Sequence, residues 1–319
     1  MVELNGKKIL VTFLMHLGDL TLTTPFIHAL RKAAPDAHIT MLVDEKLKDV
    51  VLFNPYLDEV VTIDKKGRDN SILSLWACSR HLSKLDFDVL INLHPNERCS
   101  FIDAMTSVKL RTGTTHKIFK WFWDVFTPLD RSMHAADMYL DVLQQLGVQD
   151  LSSNGLEIFP GEEHFLEAEL FWQEQNITDQ DKLIGFNIGS AVPTKRWPPE
   201  RFAEVADIFA AKGYKTVFFG GPMDEEMVAE ATGYMQTRPI IATGHFAIGG
   251  LAAAMRRCCL IITNDSGPMH VAISQKVPIV AMYGPSNPKL YGPYTKDAVI
   301  VTAQPPCQGC ADGMKHSCD

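Results

Sequence analysis

Two stretches of this 319-residue chain bring together residue types that grip phosphate. In NDSGPMHVA (264–272), an apolar run ends at Asn264-Asp265, Ser266 or Gly267 can cap the next helix, and Pro268 suits its first turn. The amides of such a turn, at the positive end of the helix dipole, bind phosphate oxygens. Gly267 allows close approach to the backbone, and His270 lies nearby. The same residues also suit a capped helix with a buried histidine. In NIGSAVPTKRWPPERF (187–202), Ser190 and Thr194 offer hydroxyls and Lys195 offers a point charge. A solvated loop with Trp197 as a packing anchor has the same composition.

A third stretch, VFFGGPMDEEMVAE (217–230), turns at Gly220-Gly221 and then presents Asp224, Glu225 and Glu226. A carboxylate at that place can accept the hydrogen bonds of a ribose diol. The same acids also suit the start of a helix electrostatically. A cation, a diol acceptor and a helix-end phosphate site together make a nucleoside-diphosphate grip. No G-x-x-x-x-G-K-[ST] loop is present, which argues against an ATP-hydrolysing P-loop.

The stretch HLGDLTLTTP (16–25) is different. A nicotinamide-binding first turn needs G-x-G-x-x-G, but Gly18 stands alone and Asp19 would repel a pyrophosphate. Asp19 therefore reads as a carboxylate presented to substrate. It can take the proton of an incoming hydroxyl once positive charge has grown on a sugar ring. The competing reading is a helix cap.

Such residues need strand ends to carry them. Apolar, β-branched runs predict strands at 7–14, 38–43, 60–63, 88–93 and 108–111. Helical patterns lie between them at 20–34, 45–53, 72–85 and 97–107, and 134–147 closes this half with Gly147 past its end. A second alternation starts near residue 182 and runs to PIVAMYG (278–284). Continuous apolar strands alternating with helices imply parallel sheets covered on both faces. Residues 150–181 are polar and acidic and break the alternation. The expected architecture is α/β, with two Rossmann-like, doubly wound domains at 1–160 and 161–319 facing a cleft. Ligands then sit at the carboxyl ends of the strands.

Composition narrows the class. Charged residues make up 21% and the formal net charge is −8, which argues against a dedicated nucleic-acid binder. No run reaches the length of a membrane span, and the N-terminus reads as the first strand rather than a signal peptide. The 7 cysteines read as reduced cytosolic thiols.

HLGDLTLTTP, RTG (111–113), HAADMYLDVLQQLGV, TKRWP, FFGGPMDEE and NDSGPMHVA occur in the order seen in glycosyltransferase family 9, and the chain resembles its heptosyltransferases along nearly its whole length. The resemblance implies a GT-B fold and ADP-heptose as donor. It also implies a lipid-A-linked core sugar as acceptor and inversion at the anomeric carbon, with no obligatory metal and magnesium tolerated. Asp19 then matches the catalytic base. Ser190, Thr194, Lys195, Asp224, Glu225, Asp265, Ser266, Gly267 and His270 fall in the donor site, where Ser266 replaces the threonine of many relatives. Relatives generally continue beyond a Cys-rich tail, so the end at Asp319 reads as a short form or a missing end.

Lys65, Arg68 and Arg98 are the candidate contacts to an anionic acceptor; for Lys65 a solvated face is the competing reading. HKIFKWFWDVFTP (116–128) fits the inner face of a membrane or a core helix, and the core helix is preferred. Cys307, Cys310, His316 and Cys318 have a loose zinc-like spacing, with no metal expected. Other readings are a GT-B enzyme using another sugar nucleotide, such as a UDP-sugar epimerase, and a non-catalytic sugar-binding protein.

Overall fold

The computed structural model describes residues 2–302. The tail cysteines and His316 lie outside the described residues. The chain divides into two compact units between Gly155 and Leu156.

In the first unit, strands β1 (Lys8–Thr12), β2 (His38–Asp44), β3 (Glu59–Ile63), β4 (Phe87–Asn92), β5 (Val108–Gly113) and β6 (Val125–Phe126) form one parallel sheet in the order β3-β2-β1-β4-β5-β6. Helices α1 (Leu17–Thr21), α2 (Thr24–Ala33), α3 (Ile72–Ser83), α4 (Glu97–Met105) and α5 (Ala135–Gln145) connect or flank these strands. The central strands are buried along nearly their whole length, which is why they read as unbroken apolar runs. Gly147 ends α5 as expected: its φ is +103°, its N–H donates to Gln144 O, and Val148 N donates to Leu143 O.

The helix expected at 20–34 is broken in two. Pro25 has no N–H to continue the ladder. The hydroxyls of Thr21, Thr23 and Thr24 instead donate to the carbonyls of Leu17, Leu20 and Thr21 at 2.7–2.9 Å. The helix expected at 45–53 is a 3₁₀ turn, Glu45–Val50, opened by Asp44 accepting from Lys46 N.

The preferred core helix at 116–128 is corrected. Residues Lys117–Phe122 form a 3₁₀ turn without a buried side chain, and Trp121 is 93% exposed. Among the aromatic side chains of the segment Trp123 alone is buried, satisfying its indole N–H on Thr112 O at 3.0 Å. The next two residues then pair with β5 as β6, which ends the helical course.

The second unit begins with a helix the sequence pattern did not reveal, α6 (Glu162–Glu174). Ala168, Phe171 and Trp172 face inward while Leu166 and Leu170 stay exposed, so no clean amphipathic stripe marks it. Next come β7 (Leu183–Asn187), α7 (Pro199–Ala211), β8 (Lys215–Phe219), α8 (Glu225–Tyr234), β9 (Ile240–Ile241) and α9 (Ile248–Met255). The unit closes with β10 (Cys258–Asn264), α10 (Gly267–Ser274), β11 (Ile279–Tyr283), α11 (Pro288–Tyr291) and β12 (Ala298–Thr302). The six strands form a parallel sheet in the order β12-β11-β10-β7-β8-β9. Its core is aromatic: Phe186 and Phe218 stack with centroids 5.2 Å apart and are fully buried. Each contributes about 1.5–3 kcal/mol relative to exposure.

Candidate functional site

In the second unit β10, β7 and β8 are neighbours, so the three loops singled out by sequence leave the same sheet edge side by side. Hydrogen bonds lock the loops after β7 and β10 together. Asn264 Nδ2 donates to Ile188 O at 2.7 Å, and Trp197 N donates to Asn264 Oδ1 at 2.9 Å. Asn187 Nδ2 donates to Thr263 Oγ1 at 3.0 Å and to Ser266 Oγ at 2.8 Å.

Lys195 ends the 3₁₀ turn Pro193–Lys195, and its Nζ reaches Asp265 Oδ2 at 2.7 Å. Thr194 precedes it. Ser190 accepts from Val192 N through its hydroxyl and from Arg196 Nε through its carbonyl. Ser266 is the N-cap of α10 but makes no side-chain cap, because its hydroxyl is turned to Asn187 and to Asn264 O. Gly267 opens the helix and His270 is buried in its first turns. A cation and a helix start without a side-chain cap therefore lie beside one another, an arrangement that binds phosphate oxygens.

Asp224 is turned inward. Its Oδ2 accepts from Gly221 N at 2.9 Å, and a Cβ placed on Gly189 would lie 2.2 Å from its Oδ1. Gly189 is thus the only residue type that lets the β7 and β8 loops close on this carboxylate. Glu225 lies instead against Gly244, at the loop after β9. Tyr283, which the sequence reading did not pick, packs beside Asp265. Burial, and then that carboxylate, hold its phenol well above the usual pKa, so its hydroxyl stays a donor and binds Tyr291 O at 3.0 Å.

In the first unit Asp19 is half-buried in the first turn of α1, just past the end of β1. His16, not Asp19, is the N-cap of that helix. The loop leading to Asp19 is braced by Lys65, whose Nζ donates to Leu14 O at 3.0 Å and Met15 O at 2.9 Å and pairs with Asp44 at 3.1 Å. Arg98 in turn donates to Lys65 O and to Asn70 Oδ1. Arg68 is exposed and pairs with Glu45 and Asp69. The structure thus engages Lys65 with the loop before Asp19 and Arg98 with the segment after β3, while Arg68 remains at the surface.

Two residues missed by sequence reasoning lie at the same sheet edge. Burial, then Lys65, Arg131 and His16, push His94 down to about 4, so its ring is neutral at pH 7. Its ring meets Phe13 edge-on at 5.7 Å. Burial pushes Asp103 up to about 8, and its Oδ2 accepts from Thr12 Oγ1 at 2.9 Å. Neither stands in a motif; only burial distinguishes them. Among the described residues no cluster of three or more His, Cys, Asp or Glu could hold a metal ion.

Two parallel, Rossmann-like sheets with helices between their strands are those of the GT-B fold. The chain belongs to glycosyltransferase family 9 (heptosyltransferase), whose family model matches residues 75–317. A solved family 9 glycosyl transferase from Veillonella parvula DSM 2008 is 54% identical, covers 99% of this chain and 93% of its own, and superposes with a TM-score of 0.94. The structure of E. coli ADP-heptose LPS heptosyltransferase II shares the fold at 22% identity, with a TM-score of 0.80 over 92% of this chain and 90% of that one. Among characterised sequences, lipopolysaccharide heptosyltransferase 3 of Escherichia coli (strain K12) is 24% identical over 88% of this chain and 84% of its own.

Proposed function

We propose that the chain transfers a heptose from ADP-heptose to an inner-core sugar of lipopolysaccharide, with inversion. The family and the heptosyltransferases it resembles support the sugar and the acceptor class. The observation that carries the mechanism is the Lys195–Asp265 pair beside the start of α10. In this reading the second unit holds the donor, with the diphosphate on Lys195 and the amides of the Gly267 turn, and the ribose near Glu225 or Asp224. The first unit holds the acceptor, with Arg68 as its surface cation.

The acceptor hydroxyl oxygen attacks the anomeric carbon on the face opposite ADP. The bond from that carbon to the diphosphate oxygen breaks, and ADP leaves with the electron pair. The hydroxyl proton passes to the Asp19 carboxylate. Charge building on the leaving diphosphate is met by Lys195 and the helix end, so the reading asks for no metal ion. The chain would act at the cytoplasmic face of the membrane that carries its acceptor. No helix among the described residues is long and apolar enough to cross a membrane.

Mass spectrometry of nucleotide retained on the purified protein, followed by an ADP-release assay with ADP-heptose, tests this. ADP-heptose binding with acceptor-dependent ADP release is expected. Retention of a uridine nucleotide would favour an enzyme of another sugar nucleotide. Tight donor binding without release would favour a binding protein.

A further inference from the structure

Two donors stand beside the Asp265 carboxylate. Lys195 Nζ reaches its Oδ2 at 2.7 Å from the turn after β7. Tyr283, the last residue of β11, packs against it from the neighbouring strand. The two strand ends are held in step, since Asp265 N donates to Met282 O at 3.2 Å. Tyr283 and the Asp265 side chain are 4% and 5% exposed, so neither can turn to bulk water.

The phenol carries a single proton, and more than one acceptor surrounds it. The Tyr283 hydroxyl donates to Tyr291 O, at the end of α11, at 3.0 Å, and Met269 Sδ lies 3.8 Å away. The segment that leaves Tyr283 also leans on the Lys195 turn: a Cβ placed on Gly284 would lie 3.2 Å from Thr194 O. The end of β11 therefore touches both members of the Lys195–Asp265 pair.

A diphosphate seated on Lys195, the reading proposed above and the one on which this inference rests, makes two anions share one ammonium. Asp265 then keeps less of its cation and gains a negative neighbour. A buried carboxylate in that position either takes up a proton or finds another donor. The titratable groups around it are Lys195 on the turn after β7, Tyr283 on β11 and, on α10, His270. Burial, and then Asp265, keep the Tyr283 phenol protonated, so it is a neutral donor already in place.

We propose that Tyr283 is a positioning residue of the donor site: as the diphosphate draws on Lys195, the phenol hydroxyl gives up Tyr291 O, donates to Asp265 and keeps that side chain an anion. Rotation about the phenol C–O bond moves the proton without moving the ring. The carbonyl left behind is at the end of α11, a helix without a buried residue, where water can meet it.

ADP is titrated calorimetrically into wild type, Tyr283→Phe, and Tyr283→Phe with Asp265→Asn, in buffers of different ionisation heat. Without the hydroxyl, Asp265 must take up a proton when ADP binds. Tyr283→Phe should therefore take up more protons than wild type, and between pH 7.5 and pH 9 its ADP affinity should fall by up to about tenfold per pH unit while that of wild type stays level. The double variant should lose both the added uptake and the added slope, which assigns them to Asp265. An affinity loss in Tyr283→Phe that is the same at every pH, with no added proton uptake, would make Tyr283 a packing residue and overturn the inference. So would wild-type binding by Tyr283→Phe at every pH. Wild-type ADP affinity in Lys195→Ala would instead overturn the reading beneath it.

Discussion

Lys195 Nζ lies 2.7 Å from Asp265 Oδ2, joining the loop after β7 to the turn that opens α10. The side chains are only 18% and 5% exposed. The ammonium is therefore held at the turn proposed to bind phosphate before any anion arrives, at little cost in side-chain entropy on binding. The arrangement also ties the stability of the second unit to the residue proposed to grip the diphosphate.

Lys195→Ala should weaken ADP binding by about 1.5–3 kcal/mol, the range for a charge-assisted hydrogen bond. It should also lower Tm, because the buried Asp265 carboxylate loses its partner. Adding Asp265→Asn should recover much of the Tm but not the affinity. Calorimetric titration and thermal unfolding of the three variants check this; full ADP affinity in Lys195→Ala would contradict it.

Lys65 supports the loop before Asp19 rather than presenting its charge to solvent. Lys65→Met with Asp44→Asn removes the brace without leaving a buried charge. Turnover should fall roughly 10- to 100-fold, since small misplacements of a reacting group cost that much, while ADP affinity is unchanged. An altered acceptor KM with unaltered kcat would instead mark Lys65 as an acceptor contact.

Asp103 stays protonated up to about 8, against about 3.8 for an ordinary aspartate. Between those values the native chain holds a proton that the unfolded chain has lost, so stability falls as pH rises. The contribution is fully present below about 4 and is lost through pH 8. Asp103→Asn should flatten the fall in Tm across this window. An unchanged slope would show that Asp103 ionises normally in the fold.

The doubly wound alternation was legible because β1, β2, β4, β7 and β10 are buried on both faces and their apolar runs are short and bounded. What escaped notice depended on distant partners. Nothing near Lys65 announces Asp44, Leu14 and Met15 as its partners, so its charge read as either solvated or available to a ligand. His94 and Asp103 are unusual only because of what packs over them. The helix Glu162–Glu174 hid because its apolar residues fall on both faces. Trp121 read as a core residue because an aromatic run looks the same whether it is covered or not. Pro25 was visible, yet the pattern did not show that it would sit in the first turn of a separate helix, with three threonine hydroxyls bonded to carbonyls around the break.

The most direct test is single-turnover transfer from ADP-heptose by Asp19→Asn, with ADP affinity measured on the same preparation. The account predicts turnover lower by about 10²–10⁴-fold, the usual contribution of a general base, and donor affinity equal to wild type. Wild-type turnover, or lost ADP binding with the transfer step intact, would contradict it.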